Sequence, residues 1–186
     1  MGVNHTRQFI EFISKHSYQR IFDALHVKPI IKFIGMRLSE ATSLIKSDIH
    51  LNSKVPHIRL KPHIWRPLKT SGSERDVPLV GAALWAIKRA SEKADGSFLF
   101  PRYCTSVECK ADYASNTLNK WLRKHLPVGC VVHSFRHSIR DRLRAVQCPS
   151  DVIDQIGGWQ TYGIGSDYGE GHTLQNLSLW LKKLPF

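Results

Sequence analysis

Apolar positions recur on a helical period along much of this 186-residue chain, and the places where the period fails divide it into elements. In the opening TRQFIEFISKHSYQRIFDAL, the cluster Phe9, Ile10, Ile13 and Ile21 predicts one or two helices. After Pro29, IIKFIGMRLSEATSLIKSDIH predicts an apolar helix, a break at Gly35 and a short helix with Leu38, Ala41, Leu44 and Ile45 inward. Arg37 falls at that break, near a helix start. Residues 55–80 change character: β-compatible runs at HIRL, HIW and DVPL are separated by Pro56, Pro62, Pro67 and the turn-forming SGS at 71–73. A small antiparallel sheet is expected there, with Lys69 just before a hairpin turn. Helical spacing returns from Leu79 to Ala90 and from Asn116 to His125, where Leu118, Trp121 and Leu122 make a stripe. The pattern predicts a mainly helical domain with one small sheet, an α+β fold.

The segment HSFRHSIRDRL at 133–143 carries the densest mixture of charge and apolar bulk. At about 100° per residue, Val132, Phe135, Ile139, Leu143 and Val146 share one face, while His133, Arg136, His137, Arg140 and Arg144 share another. His133 and Arg136 stand one turn apart at the beginning of that helix. Both can therefore converge on a single anion, assisted by the positive end of the helix dipole. Downstream, PSDVIDQIGGW reads as a helix capped by Ser150 or Asp151 and stopped by Gly157 and Gly158, which delivers Trp159 onto a turn. Tyr168 lies nine residues on, in the glycine-rich GIGSDYGEG, where a side chain is poorly placed for a core.

Charge narrows the partners. Lys plus Arg is 27 and Asp plus Glu is 15, so the formal net charge is 27 − 15 = +12, with a pI near 9.8. That balance favours a polyanion, nucleic acid first and an anionic membrane second. A membrane role needs a basic helix with its apolar face exposed, and here that face is committed to a core. The length suits one domain. No long repeat, low-complexity tract or Gly/Ser linker divides it, and neither a membrane-spanning run nor a secretory signal is present, which implies a cytoplasmic setting. Cys104, Cys109, Cys130 and Cys148 form no CxxC pair and no zinc spacing, so they read as ordinary thiols.

Arg37 in GMRLSE, Lys69 before a hairpin turn, His133 and Arg136 as H-x-x-R, Trp159 after a glycine pair and Tyr168 nine residues later form an ordered set. From about residue 20 to the end, it resembles the catalytic domain of tyrosine recombinases, the phage-integrase family. HSFRHSIRDRL followed by GGW and YG is similar to prophage integrases in particular. The resemblance implies that family's catalytic-domain fold and a site-specific DNA recombinase that cleaves and rejoins strands through a 3′-phosphotyrosine. It implies Tyr168 as nucleophile, Arg37 and Arg136 on the nonbridging oxygens, Lys69 as general acid to the 5′ oxygen and His133 as proton acceptor from the phenol. Trp159 would donate its indole N–H to the phosphate. Tyr162 stands too close to Trp159 for the family spacing. Glu40, three residues after Arg37, is placed either to aim that arginine or to form a plain surface ion pair.

The scheme requires no metal or other cofactor. Asp48, Asp76, Asp112 and Asp167 are scattered, and His133 with His137 lacks the glutamate of H-E-x-x-H because Ser134 follows His133. Family members usually carry a DNA-clamping domain ahead of the catalytic one, so the chain reads as a catalytic domain over 1–186 without it. Residues 1–20 are then a linker or first helix, and 174–186 a tail. In LQNLSLWLKKLPF, the face of Leu174, Leu177, Trp180, Leu181 and Leu184 either docks on its own core or, as the family implies, packs on a neighbouring protomer in a tetramer on double-stranded DNA. The alternative activity is type IB topoisomerase-like relaxation, which uses a similar constellation one strand at a time.

Overall fold

The computed structural model describes residues 26–70, 73–124, 127–159 and 171–184. The helices expected before residue 26 lie outside them. Helix α1 covers 26–34 and ends at Gly35, whose φ of +70° suits a residue without a side chain. A Cβ there would also lie 2.9 Å from Ile139 Cγ2, so the turn packs tightly on a later helix. Helix α2 is Leu38–Thr42, followed by a 3-10 turn, Lys46–Asp48.

Three strands, β1 (Ile49–His50), β2 (His57–Leu60) and β3 (Arg75–Pro78), form an antiparallel sheet in that order. The β2–β3 register pairs His57 with Pro78, Ile58 with Val77, Arg59 with Asp76 and Leu60 with Arg75. HIW is not a strand: His63 and Arg66 exchange backbone hydrogen bonds across a turn, and the Arg66 guanidinium is buried on Asp48 at 2.7 Å. Pro62 and Pro67 withhold the ladder donors a longer hairpin would need. Lys69 consequently stands exposed in a long connection between β2 and β3.

Helices α3 (Gly81–Lys93), α4 (Ala111–Leu122), α5 (Val132–Ala145), α6 (Ser150–Gly157) and α7 (Leu174–Lys182) follow. Expected boundaries move by a few residues: α3 begins after Leu79 and α4 starts at Ala111. In α6, Pro149 takes the capping position in place of Ser150 or Asp151, because its fixed φ suits the extended entry to a helix. The core draws Ile30, Ile34 and Met36 together with Ile58, Val77, Ile87, Leu118, Ile139 and Leu143. Helix α2 packs on α4, α5 on α4 and α6, and α7 on β3. Leu177, Leu181 and Leu184 are buried, worth roughly 2 kcal/mol each, so the C-terminal helix docks on its own chain. No described helix is long and apolar enough to cross a membrane.

Candidate active site

The break after α1 places Arg37 immediately before α2. Its backbone N–H donates to Glu40 Oε2 at 2.8 Å and its Nη1 to Glu40 Oε1 at 2.7 Å, so one carboxylate closes the helix start and aims the guanidinium. Arg37 Nη1 also donates to Ser73 Oγ (3.1 Å) and Nη2 to the Gly158 carbonyl (3.1 Å). Glu40 is 3% exposed, which decides between the two expectations: it is a buried partner, not a surface ion pair.

A second guanidinium shares that carboxylate. Arg75, at the start of β3, donates from Nη2 to Glu40 Oε2 (3.1 Å), from Nη1 to the Ser73 carbonyl (2.8 Å) and from Nε to the Ile156 carbonyl (3.1 Å). Burial pushes the Glu40 carboxyl up, but Arg75 and then Arg37 more than reverse this, and it is held below the usual value.

Arg136 corrects a sequence expectation. Helical phase puts it on the polar face of α5, yet it is 3% exposed. Its guanidinium donates to the carbonyls of Gly35 and Gly157, and its planar group covers the Trp159 ring at 4.4 Å. A basic residue beside the apolar stripe can be buried when backbone carbonyls satisfy its donors. Burial, followed by Arg37, pushes Arg136 down to about 9, with Glu40 opposing; the group is still a cation at neutrality.

The glycine pair has a definite steric cause. Gly158 has φ +61°, closing α6 in the left-handed region, and a Cβ on it would meet Arg75 Nη1 at 2.7 Å. A Cβ on Gly157 would lie 1.9 Å from Trp159 Cε3, so the indole folds back over the helix end only because residue 157 has no side chain. Arg140 flanks the same ring at 5.2 Å. The consecutive carbonyls of Ile156, Gly157 and Gly158 accept from Arg75, Arg136 and Arg37 respectively. Cations at a helix C-terminus are favoured by its dipole, so this end of α6 gathers guanidinium groups from three separate segments.

His133 sits exposed in the first turn of α5, with His137 edge-on at 4.8 Å between ring centroids. Burial of part of the ring, then His137, Arg136, Arg37 and Lys69, hold its pKa below the usual imidazole value. That ordering also places the Lys69 charge within electrostatic reach of His133. A cavity of about 120 Å³ adjoins His133 and Arg136, walled by Met36, Leu38 and Val132. It has room for ordered water but not for a nucleotide, so a phosphate must approach from the open side.

Arg37, His133, Arg136 and Trp159 are thus brought together, and Lys69, exposed in the β2–β3 connection, is close enough for its charge to act on His133. Tyr168 and Tyr162 lie outside the described residues. The chain after them is anchored: Gln155 of α6 donates to the His172 carbonyl (2.9 Å) and accepts from its N–H (2.7 Å), while His172 Nε2 lies 2.8 Å from Asp151 Oδ2. Arg75, Ser73 and Gln155 escape sequence reasoning. Strand alternation says nothing of Arg75 reaching Glu40, and within the charged run Glu74-Arg75-Asp76 nothing marks Arg75 as the buried one. Among the described residues, no three His, Cys, Asp or Glu side chains cluster as a metal site.

These features define a helical domain with a small sheet and a cluster of arginines around the end of α6. The phage integrase family model matches residues 4–170, and the chain belongs to that family. Its fold is that of the tyrosine recombinase catalytic domain. It is similar to a Tn1549 transposon integrase solved in complex with circular intermediate DNA (TM-score 0.55, 18% identity, covering 96% of this chain and 63% of that one). XerH recombinase bound to palindromic difH substrate matches with TM-score 0.51 and 19% identity over 98% of this chain and 49% of that one. XerA recombinase gives 0.50 and 15%, over 90% and 57%. The chain thus spans less than two thirds of each of these proteins. No curated protein sequence matches it.

Proposed function

We propose that this chain carries the catalytic domain of a site-specific DNA recombinase, an integrase that cleaves and rejoins double-stranded DNA through a 3′-phosphotyrosine. The observation that carries this reading is the meeting of Arg37 and Arg136 at the C-terminal end of α6, with His133 one turn before Arg136 on α5, in a chain with net charge +12. Arg37 and Arg136 are already aimed by Glu40 and by backbone carbonyls, so little reorganisation is needed when charge grows on the nonbridging phosphate oxygens. Guanidinium groups suit that task because they stay charged and donate in a planar fork.

In the proposed step, Tyr168 Oη attacks phosphorus, the bond from phosphorus to the 5′ oxygen breaks, and the strand is held as a phosphotyrosine ester. His133, whose neutral form is favoured first by partial burial of the ring and then by its neighbours His137, Arg136, Arg37 and Lys69, accepts the phenol proton. Lys69 delivers a proton to the departing 5′ oxygen. Trp159, with Arg136 and Arg140 against its ring, shapes the pocket and offers its indole N–H. Reversal of the same steps with a different 5′ hydroxyl joins new strands, without a metal or cofactor.

Self-association on DNA through the C-terminal segment belongs to the same proposal. Helix α7 buries Leu177 and Leu181 within its own chain yet leaves Leu179 61% exposed, which supports a second contact for that helix. The DNA substrate sets the reaction in the cytoplasm of a bacterial or phage-infected host. A nicked suicide substrate carrying the cognate core site tests the reading: a covalent protein–DNA adduct should form and should vanish in Tyr168→Phe with binding nearly intact. Relaxation of supercoiled DNA without any partner site would move the activity to the topoisomerase class.

A further inference from the structure

We propose that Cys104 and Cys109 constitute a reversible thiol–disulfide site, closed by a two-electron oxidant of the hydroperoxide class. Neither thiol has a part in the DNA chemistry proposed above. All four cysteines are free, and nothing in the C-x4-C spacing marks two of them as partners.

The backbone brings them together. Thr105 N–H donates to the Glu108 carbonyl at 2.9 Å and Lys110 N–H to the Tyr103 carbonyl at 2.6 Å, with Cys104 and Cys109 facing each other between these bonds as an antiparallel bridge. Both bonds lie outside the pair, so it is the non-hydrogen-bonded kind, in which Cα atoms stand about 4.5 Å apart and side chains are closest. Disulfides span Cα separations of roughly 4.4–6.8 Å. The bridge already sets Cys104 and Cys109 directly opposite each other, so closure requires side-chain rotation and no strand movement.

The surroundings set the order of events. Cys104 is 1% exposed, and burial, reinforced by Cys109, pushes its thiol up to about 12. Cys109 is partly exposed and is the sulfur an oxidant reaches first. Its thiolate attacks the peroxide O–O bond, forming a sulfenic S–O bond and releasing hydroxide. The Cys104 sulfur then attacks Cys109, the S–O bond breaks, and hydroxide leaves with the Cys104 proton as water. The two thiols are oxidised to one disulfide and the peroxide is reduced to water.

The site borders the catalytic framework without belonging to it. Cys109 Sγ lies 3.9 Å from Thr42 Oγ1 at the far end of α2 from Arg37, and Lys110 leads directly into α4. A closed disulfide would staple the hairpin that touches the end of α2 and leads into α4.

The test treats the full chain with dilute hydrogen peroxide, alkylates remaining thiols with iodoacetamide, and maps peptides by mass. Two of the four thiols should stop accepting label, one linked peptide should join residue 104 to 109, and dithiothreitol should restore both. Cys109→Ser should abolish the loss. Cys104→Ser should leave a sulfenic acid at Cys109 that dimedone traps. Four thiols still alkylatable after oxidation, a disulfide mapped to Cys130, Cys148 or a second chain, or Cys109 oxidised to sulfinic acid beside a labelled Cys104 would each overturn the proposal.

Discussion

Glu40 holds Arg37 twice, through the backbone N–H and through Nη1, at 2.8 and 2.7 Å. The same carboxylate takes Arg75 on its other side at 3.1 Å, so one buried anion joins the start of α2 to the start of β3. Glu40→Gln keeps the size and removes the charge, leaving two guanidinium groups facing each other. Removing one partner of a buried ion pair costs about 3 kcal/mol or more, and denaturant unfolding should register that loss. Adduct formation in Glu40→Gln should fall further than DNA affinity, because the aim of Arg37 matters most in the transition state.

The same pairing sets an acid limit on stability. Glu40 has a folded-state pKa depressed below its ordinary 4.5. Its contribution is therefore fully present above pH 4.5 and is lost as pH falls through the lower folded value. Unfolding free energy measured from pH 7 downward should decline in that acid window. Glu40→Gln should show a shallower decline.

Gly157→Ala tests the fold of the tryptophan turn. The new methyl would sit 1.9 Å from the indole, so Trp159 must leave its place against Arg136. Cleavage should drop at least about tenfold, a loss of roughly 1.4 kcal/mol in the barrier, and the Trp159 emission should shift to the red as the ring meets water. Normal emission with normal cleavage would show that the indole does not need this position.

His133 should impose an acid limb on the reaction. Burial, His137, Arg136, Arg37 and Lys69 lower its pKa from 6.5, so the neutral ring persists at pH values where a free imidazole is half protonated. The single-turnover cleavage rate should hold through pH 6.5 and fall only below it, as protonation removes the acceptor. His133→Gln should be slow and flat across that range. The stability linked to this group follows the same sign: it is present above 6.5 and lost as pH falls through the folded value.

Much of this was legible in the sequence, for reasons that particular residues make clear. Gly35, the apolar stripe of α5 and the glycine pair announce a break, a helix and a stop through backbone physics that acts locally. Arg37, His133, Arg136 and Trp159 could be singled out in the sequence because their residue types and order resemble the family's motif, and the fold brings Arg37 and Arg136 to the same helix end with Trp159 against Arg136. What escaped depends on contacts distant in sequence. Arg75 reaches Glu40 across 35 positions, and Arg136 is buried because Gly35 and Gly157 offer carbonyls from two other segments. Periodicity assigns a face to Arg136, but it does not reveal that the facing backbone can solvate a cation. The Cys104–Cys109 pair escaped likewise, since its register depends on two backbone hydrogen bonds that no residue type specifies.

Exchanging Arg75 for Lys separates charge from geometry. Lysine keeps the cation beside Glu40 but cannot donate at once to Glu40, Ser73 and Ile156 as the guanidinium does. Arg75→Lys should retain most of the fold's stability while lowering the adduct yield, and Arg75→Met should lose both. Equal stability and yield in all three proteins would remove Arg75 from any positioning role.

The central claim is that the phenol of Tyr168 and the cationic pocket around Arg37 and Arg136 act on one phosphorus atom. Mass mapping of the protein–DNA adduct formed on a nicked core-site substrate tests it most directly. The account predicts a single nucleotide-bearing peptide with the modification on Tyr168, absent in Arg136→Ala. A modification on Tyr162 or any other side chain, or an undiminished adduct in Arg136→Ala, would contradict it.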